Sequence, residues 1–457
     1  MTNTRSRILS LLSTILRIEE SRLQRIFVIG IPIIGGMLSQ SLINLVDAAM
    51  VGRLGEHALA GVGIGSYAAF ITISLVMGLS SGVQALVARR SGEGNHHQTS
   101  APLVSGLVIG IGAGLFLSLL FISTSSFLLP IFNDDIQVQA IAQPYFDWRS
   151  AAIAAVAMNF CFRGYWAGIG KSSTYLRILL WIHALNVAIS YLLIFGIPAL
   201  GFHGYGAVGS GIGTCVALYI GSALYFIGTI KSVRKQKVEA PDLQSFKKVT
   251  SLALPNSMQQ GLFAFGISVL FVIIGMVGTQ EQAIGHILIN IALLLILPSV
   301  GLGIAATSLV GHALGAQKPD DAYQWGWEVV RVAALLMAIL GIPLWLFPEA
   351  ILRLFTNSAE LIALGTLPIQ ISGLNIVFEV TAMVLTQALL GAGASRQVMM
   401  INISMHWLYL LPLAYFIGPW AGYGLLGIWL VQGMQRICSS LIYAYLWRKG
   451  QWSHIEI

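Results

Sequence analysis

Twelve long apolar runs, each bounded by charged residues or by Gly- and Pro-rich breaks, dominate this 457-residue sequence. A helix needs about 20 apolar residues to cross the hydrocarbon core of a bilayer, and each run is long enough. Only 9% of the residues are charged, whereas a soluble domain carries about 25%. The sequence therefore predicts an all-α polytopic membrane protein with twelve transmembrane helices. The predicted spans are 25–52, 59–88, 101–129, 138–168, 172–196, 206–230, 249–277, 283–313, 323–347, 359–391, 396–417 and 423–447.

The 25 Lys and Arg residues give a net charge of +7, and their placement indicates orientation in the membrane. They lie singly or in small groups between the apolar runs, with no basic stripe interleaved with aromatics as in nucleic-acid-binding proteins. Most lie on one side of the predicted bilayer, and the other side carries only Arg53, Arg149 and Arg353. The positive-inside rule then predicts a multi-pass protein of the cell (inner) membrane with both termini in the cytoplasm.

The two halves of the chain are related by an internal repeat with a constant offset of 223 residues. Six spans lie in each half, so both halves enter the membrane in the same sense. This predicts two six-helix lobes related by a pseudo-two-fold axis along the membrane normal. Duplication of this kind favours a carrier with alternating access over a plain scaffold or a channel. The matched pairs include Pro32/Pro255, Gly52/Gly275, Gly78/Gly301, Gly168/Gly391 and His183/His406.

The repeat also predicts how the chain is organised. Apolar residues at 8, 11, 12, 15 and 16 fit a short amphipathic helix on the membrane surface, and no small-residue cleavage site follows them. We expect a cytoplasmic amphipathic N-terminal segment (1–24), an N-lobe (25–230), a cytoplasmic linker (231–248), a C-lobe (249–447) and a cytoplasmic tail (448–457).

No constellation typical of an enzyme emerges from the sequence. Cys161, Cys215 and Cys438 lie far apart in apolar segments, which indicates neither a disulfide framework nor a metal site. Residues 168–172 (GIGKS) resemble the end of a phosphate-binding loop, but no strand precedes them and Tyr165 occupies the required earlier glycine position. We therefore expect transport driven by an ion gradient, with no catalytic residue, no metal and no cofactor beyond the coupling ion.

Asp47 and Glu379 are the two acidic residues that lie well inside predicted spans. An intramembrane carboxylate costs roughly 3 kcal/mol on insertion scales and is a functional-site candidate by default. Gln40, Asn44 and Asp47 follow i, i+4, i+7 spacing and share one face of the first span. Pro32 offers a bend earlier in that helix. Asp47 is thus the predicted proton-coupling residue, and a buried aspartate satisfied by neighbouring amides is the structural alternative.

The other polar positions inside spans allow more than one interpretation. Glu379 and Arg436, deep in the tenth and twelfth spans, fit a structural ion pair and fit a second cation or proton site equally well. The symmetry-related His183 and His406 could relay protons or could form hydrogen bonds within the core. Further residues that could line a cavity are Asn159, Asn186, Ser190 and Thr214.

Several segments resemble the MATE (multidrug and toxic compound extrusion) family. Residues 45–55 (LVDAAMVGRLG), which close the first span, are similar to its signature, as are Pro32, the Gly92/Gly315 pair and residues 167–171 (AGIGK). Residues 145–149 (YFDWR) resemble the DinF-like branch. The resemblance covers essentially the whole chain. It implies a V-shaped transporter of twelve helices that exports amphiphilic, often cationic compounds against inward H⁺ or Na⁺.

The resemblance also implies roles for individual residues. Asp47 takes the position of the coupling aspartate of DinF-like members. Gln40, Asn186 and Thr214 take the positions of polar cavity residues in those members. Ser190 is a departure, because family members with the equivalent of Asn186 often carry a second aspartate there.

The second half departs from the NorM-like branch, because Phe263 occupies the position of that branch's glutamate. Glu379, however, takes the position of its acidic residue on the tenth helix. We therefore expect H⁺-coupled multidrug antiport through Asp47. The alternatives are a Na⁺-coupled exporter that uses Glu379 and a lipid-linked precursor flippase of the same superfamily. The expected partners are small amphiphilic substrates and membrane lipid, without nucleic acid, for a chain expected to be monomeric.

Overall fold

The computed structural model describes residues 2–133, 135–233 and 241–457. Within these ranges the regular elements are helices, and β structure is limited to an isolated bridge between Ile197 and Phe202. Residues 234–240 of the predicted linker lie outside the described residues. The α-helices are α1 (Thr2–Leu16), α2 (Glu20–Gly52), α3 (Glu56–Ser74), α4 (Gly78–Gly92), α5 (Ser100–Leu128), α6 (Ile136–Ala151), α7 (Ile153–Gly168), α8 (Ser172–Phe195), α9 (Val208–Val233), α10 (Leu243–Val277), α11 (Thr279–Gly315), α12 (Pro319–Leu346), α13 (Pro348–Leu352), α14 (Ala359–Ala392), α15 (Ser395–Ile403), α16 (Leu411–Tyr415) and α17 (Gly424–Lys449).

The twelve predicted spans each have a helical counterpart. Within the described residues, eleven helical segments are long and apolar enough to cross a bilayer. The fourth predicted span is formed by α6 and α7, which meet at Ala152 and have 16 residues each. The eleventh span runs from Ser395 to Trp420 and includes two π-helical stretches around α16. The prediction of an all-α polytopic membrane protein is therefore confirmed.

Contacts divide the chain into two compact units. Unit 1 comprises Met1–Ile34 and Leu262–Ile457, and unit 2 comprises Gly35–Gly261. The sequence prediction assigns all of α2 to the first lobe and all of α10 to the second. The contacts instead group the beginning of α2 with unit 1 and the beginning of α10 with unit 2. Each division follows a proline inside the helix, Pro32 in α2 and Pro255 in α10.

Unit 2 is held together by close helix packing at glycines. The helix α4 packs on α7, α5 packs on α7, and α8 packs on α9. At Gly168 a β-carbon would lie 3.1 Å from the carbonyl oxygen of Gln84, and at Gly78 it would lie 2.6 Å from Oγ of Ser257. Small residues allow helix backbones to approach closely in a membrane, where packing drives association. These two glycines therefore fix α4 against α7 and against the beginning of α10.

Unit 1 repeats the same contacts 223 residues later. The helices α11, α12 and α17 pack on α14. At Gly391 a β-carbon would lie 2.4 Å from the carbonyl oxygen of Thr307, and at Gly301 it would lie 2.5 Å from Cγ1 of Ile34. Thr307 and Ile34 are the repeat equivalents of Gln84 and Ser257. The internal repeat is thus present in the packing of each unit.

The N-terminal helix α1 ends on a charged cluster within unit 1. Nη1 of Arg331 donates hydrogen bonds to the carbonyl oxygens of Leu16 (2.6 Å) and Arg17 (3.1 Å). The guanidinium of Arg22, at the start of α2, lies over Trp325 with Cζ 3.7 Å from the ring centroid. Its Nε donates to Oε2 of Glu328 at 2.7 Å. Glu328 lies near the start of the predicted span 323–347, and the structure buries it as the partner of Arg22.

Candidate functional site in unit 2

A hydrogen-bonded polar stripe runs along α2 within unit 2. Nε2 of Gln40 donates to Oδ1 of Asn44 at 3.2 Å. The Nε2–H of His183, on α8, donates to Oε1 of Gln40, also at 3.2 Å. The hydrogen bond between Gln40 and Asn44 confirms that these two residues share one face of the helix. Asp47 continues that stripe, one turn further on.

Asp47 lies where α2 packs against apolar side chains. Its neighbours Val46, Met50 and Val51 belong to a cluster with Tyr145 of α6. The Oδ1 atom of Asp47 is buried and has no hydrogen-bond partner within the described chain. Burial of an unpartnered carboxylate oxygen is costly. A carboxyl group satisfied by neighbouring amides, the structural alternative, does not describe this atom.

Asn186 and Thr214 form a second polar contact in unit 2. Nδ2 of Asn186 donates to Oγ1 of Thr214 at 3.0 Å, and both side chains are buried. Oδ1 of Asn186 has no hydrogen-bond partner within the described residues. The structure thus joins α8 and α9 through two of the predicted cavity residues and leaves one amide oxygen able to accept a hydrogen bond.

Ser190 and Asn159 take part in helix packing. Ser190 is fully buried against Gly213, where a β-carbon would lie 2.4 Å from the serine Oγ. Nδ2 of Asn159 donates to the carbonyl oxygen of Leu218 at 3.4 Å, and Oγ of Ser222 donates to Oδ1 of Asn159 at 3.0 Å. Both ends of the Asn159 amide are therefore used between α7 and α9.

Arg149 is a charged residue of unit 2 whose burial was not predicted from the sequence. The prediction treats Arg149 as an outer-surface charge, whereas the structure buries its Nε atom without a hydrogen-bond partner. Its positive charge acts electrostatically on Asp47. The available signal was spacing, because Arg149 follows Tyr145 by four residues and so shares its helix face.

In unit 1, Glu379 and Arg436 form an ion pair. Oε2 of Glu379 lies 2.8 Å from Nη1 of Arg436, and both side chains are largely buried. The adjoining cavity has a volume of about 10 Å³ and includes Ser299 and Ser372 in its lining. That volume holds about one water molecule. This geometry fits a structural ion pair better than a second cation or proton site, the two interpretations that the sequence allowed.

His406 occupies the position in unit 1 that His183 occupies in unit 2. The rings of His406 and Phe263 have centroids 5.3 Å apart, and Phe263 is the repeat equivalent of Gln40. The equivalent of Asp47 is Leu270, which is buried in an apolar cluster. At the positions equivalent to Gln40 and Asp47, the described part of unit 1 therefore carries apolar side chains.

Comparisons with known proteins agree with this architecture. The MatE family model matches residues 32–192 and again residues 255–416, and the two matches begin one repeat offset apart. A probable multidrug resistance protein NorM of Thermotoga maritima is 25% identical over 431 residues, which cover 93% of this chain and 92% of that protein. A NorM protein of Pseudomonas aeruginosa is 26% identical over 444 residues, which cover 92% and 88%.

A solved structure shows the same fold. It is described as a MOP superfamily transporter from Pyrococcus furiosus, and it superposes with a TM-score of 0.86 at 20% sequence identity. The match covers 94% of this chain and 95% of that one.

Proposed function

The chain belongs to the MatE family, whose members are multidrug transporters and not enzymes, and from that premise we propose that it is a secondary active multidrug exporter. It exports amphiphilic, often cationic compounds by H⁺-coupled antiport, and Asp47 is the residue that couples the two movements. H⁺ is the coupling ion, and no other cofactor takes part.

The observation that carries this proposal is the buried, unpartnered Oδ1 of Asp47. A buried carboxylate without a hydrogen-bond donor gains stability by binding a proton or a cationic group. The polar stripe of Gln40 and Asn44 begins one turn away on the same helix. The equivalent position in the second half is Leu270, so coupling belongs to the first half.

Competition at one carboxyl group accounts for antiport. A deprotonated Asp47 attracts the cationic part of a substrate, and a proton that binds Asp47 removes that attraction. The substrate is then released on the side from which the proton came. The proton and the substrate thus shift the transporter between two conformational states, because they bind the same carboxyl group in different ways.

Pro32 supplies a place for α2 to change shape. Proline has no backbone N–H, so the carbonyl oxygen of Val28 lacks its usual helical partner. Two residues later, at Ile34, the contacts of α2 change from unit 1 to unit 2. We propose that the charge on Asp47 alters the bend at Pro32 and thereby the alternating access of the cavity.

A Na⁺-coupled mechanism through Glu379 has less support. A bound alkali cation needs several oxygen ligands, as other hard cations do, whereas the Glu379 carboxylate already pairs with Arg436. Within the part of the chain that the structure describes, no group of three or more His, Cys, Asp or Glu side chains is placed so that it could hold a metal ion.

The test of the proposal compares two gradients in one preparation. Proteoliposomes loaded either with an acidic lumen or with NaCl receive ethidium, a permanent cation, on the outside. We expect accumulation in the acid-loaded vesicles and none above background in the Na⁺-loaded ones. Accumulation only in the Na⁺-loaded vesicles would select the alternative mechanism. Movement of a labelled lipid without ethidium transport would select a flippase.

The chain is a multi-pass membrane protein, and we place it in the cell membrane with both termini in the cytoplasm. The asymmetric distribution of Lys and Arg supports this orientation. Export of a cation then requires that Asp47 bind its proton from the outer side.

A further inference from the structure

Unit 1 contains an open, mostly apolar groove formed by residues that the candidate site does not use. Its walls are α15 and α17, and its volume is about 900 Å³, which is within the range of small-ligand sites. The last two spans are consecutive, so the start of α15 and the end of α17 lie at the same end of this helix pair. The groove lies at that end, which the proposed orientation places at the cytoplasmic face of the membrane.

Large apolar side chains line the deeper part of the groove. Met400 of α15 and Leu441 of α17 both line it, and they are 58% and 61% exposed. Tyr445, which also lines it, follows Leu441 by one helical turn and is exposed as well. Apolar side chains that no part of the described chain covers form a surface for an apolar partner. Inside a membrane span, a concave surface of this kind is suited to an acyl chain.

The mouth of the groove is basic. Arg396, one turn before Met400, lines it together with the amide of Gln397. None of the ion pairs formed by the described residues includes Arg396. Lys449 is exposed and follows Tyr445 by one turn, so it continues the same face of α17. The described residues that line the groove include no acidic side chain, so the positive charge at the mouth has no counter-charge there.

The C-terminal tail gives the groove a fixed floor. Ile455 lines the groove, and Ile455 and Ile457 both lie against Gly393. Side chains alternate in direction along an extended segment, so Glu456, between these two residues, points away from Gly393. Trp452 is buried and stacks on a tryptophan of α17 with ring centroids 3.9 Å apart. The tail therefore closes the groove without placing the Glu456 carboxylate in it.

We propose that this groove binds an anionic phospholipid. The phosphate lies beside Arg396, and one acyl chain lies between Met400 and Leu441. Basic pockets between transmembrane helices on the cytoplasmic side are suited to anionic headgroups. A zwitterionic lipid has the same chains, but its cationic group is repelled by an arginine without a counter-charge. The assignment to the cytoplasmic leaflet rests on the proposed orientation, whereas binding itself is independent of export.

Native mass spectrometry of the purified full-length chain tests this inference. Dioleoyl phosphatidylglycerol is anionic, and dioleoyl phosphatidylcholine has the same acyl chains with a zwitterionic headgroup. Each lipid is titrated into delipidated protein, and the dissociation constant of the first bound lipid is measured. We expect the wild-type chain to bind phosphatidylglycerol about fivefold more tightly, which is the effect of one basic residue on an anionic headgroup.

The variants show which residues hold the lipid. In Arg396→Gln we expect phosphatidylglycerol to bind about fivefold more weakly and phosphatidylcholine to bind as before. Leu441→Trp narrows the groove and should weaken both lipids. Arg177→Gln is the matched control, because Arg177 is also exposed and lies near the start of α8, the repeat equivalent of α15. This control should behave as wild type, and thermal unfolding first shows that all variants are folded.

Several outcomes would overturn the inference. They are equal affinities of the wild-type chain for the two lipids, an equal loss in Arg177→Gln and Arg396→Gln, and unchanged binding in folded Leu441→Trp. A chain that elutes as a dimer and takes up no lipid would assign the groove to a second copy. Wild-type transport by Asp47→Asn would overturn the proposed function alone, because the lipid affinities are measured without transport.

Discussion

Nε2 of His183 lies 3.2 Å from Oε1 of Gln40, and this hydrogen bond links α8 to the polar stripe of α2. The equivalent residues 223 positions later are His406 and Phe263, whose rings are also in contact. The repeat therefore preserves a helix contact while its chemistry changes from a hydrogen bond to an apolar packing contact. Of these two equivalent contacts, the one in unit 2 is polar and the one in unit 1 is not.

Replacement of Gln40 by its repeat equivalent should separate function from fold. In Gln40→Phe the ring fits a contact that the fold already makes in the other half, but His183 loses its hydrogen-bond acceptor. Loss of one hydrogen bond, which contributes about 0.5–1.5 kcal/mol net, should lower Tm only slightly, whereas loss of an amide from the polar stripe should slow transport about tenfold. Ethidium uptake and thermal unfolding measure the two effects. Equal loss of transport in Phe263→Leu would contradict the asymmetry.

The ion pair of unit 1 should contribute to stability more than to coupling. Glu379→Gln leaves Arg436 buried without its counter-charge, which costs about 3 kcal/mol. We expect that loss in unfolding titrations with SDS, with transport retained per folded molecule. The double variant Glu379→Gln/Arg436→Gln should cost less than the sum of the single changes. Loss of all transport in a folded Glu379→Gln protein would instead assign Glu379 a coupling role.

Arg22 connects the beginning of α2 to α12, and the beginning of α2 should loosen when this side chain is replaced. Arg22→Gln leaves the buried carboxylate of Glu328 unpaired, and we expect faster hydrogen exchange in residues 20–34 and at the start of α12. Arg25→Gln is the matched control, because Arg25 lies 5.7 Å from the Trp325 ring and has no described ion pair. Exchange that rises equally in both variants would show that Arg22 is not the anchor.

The repeated glycines should be intolerant of a single methyl group. In Gly391→Ala the new β-carbon would lie 2.4 Å from the backbone carbonyl of Thr307, so α11 and α14 must move apart. Overpacking of this kind costs about 1–3 kcal/mol. Gly112→Ala on α5 meets nothing within 4 Å and should leave Tm unchanged or slightly raised. Equal Tm values for the two variants would exclude close helix contact at Gly391.

The span limits and the internal repeat could be predicted from the sequence, because both follow from the order of apolar and small residues along the chain. The predicted limits of the first span, 25–52, differ from those of α2 by five residues at the start and coincide at the end. The offset that pairs Gly168 with Gly391 reappears as the same helix contact in each unit. These features depend on helix length and residue size, which the sequence states directly.

Other features depend on which helices meet, and the sequence does not state that. In the sequence Arg149 resembles an outer-surface charge, but its Nε atom is buried in the folded unit. The sequence likewise does not show that Glu328 pairs with Arg22, which lies 306 positions earlier in the chain. The grouping of the start of α2 with unit 1 is likewise set by packing at Ile34.

The central claim, that Asp47 couples proton movement to export, is tested most directly by uptake of ethidium into proteoliposomes with an acidic lumen. Asp47→Asn is compared with Asp147→Asn, whose Oδ1 is also buried without a hydrogen-bond partner but which lies on α6 and not on the polar stripe of α2. Both proteins are first shown to be folded by size-exclusion chromatography and thermal unfolding. The account predicts no gradient-driven uptake in Asp47→Asn and wild-type uptake in Asp147→Asn. Wild-type uptake by Asp47→Asn would contradict it.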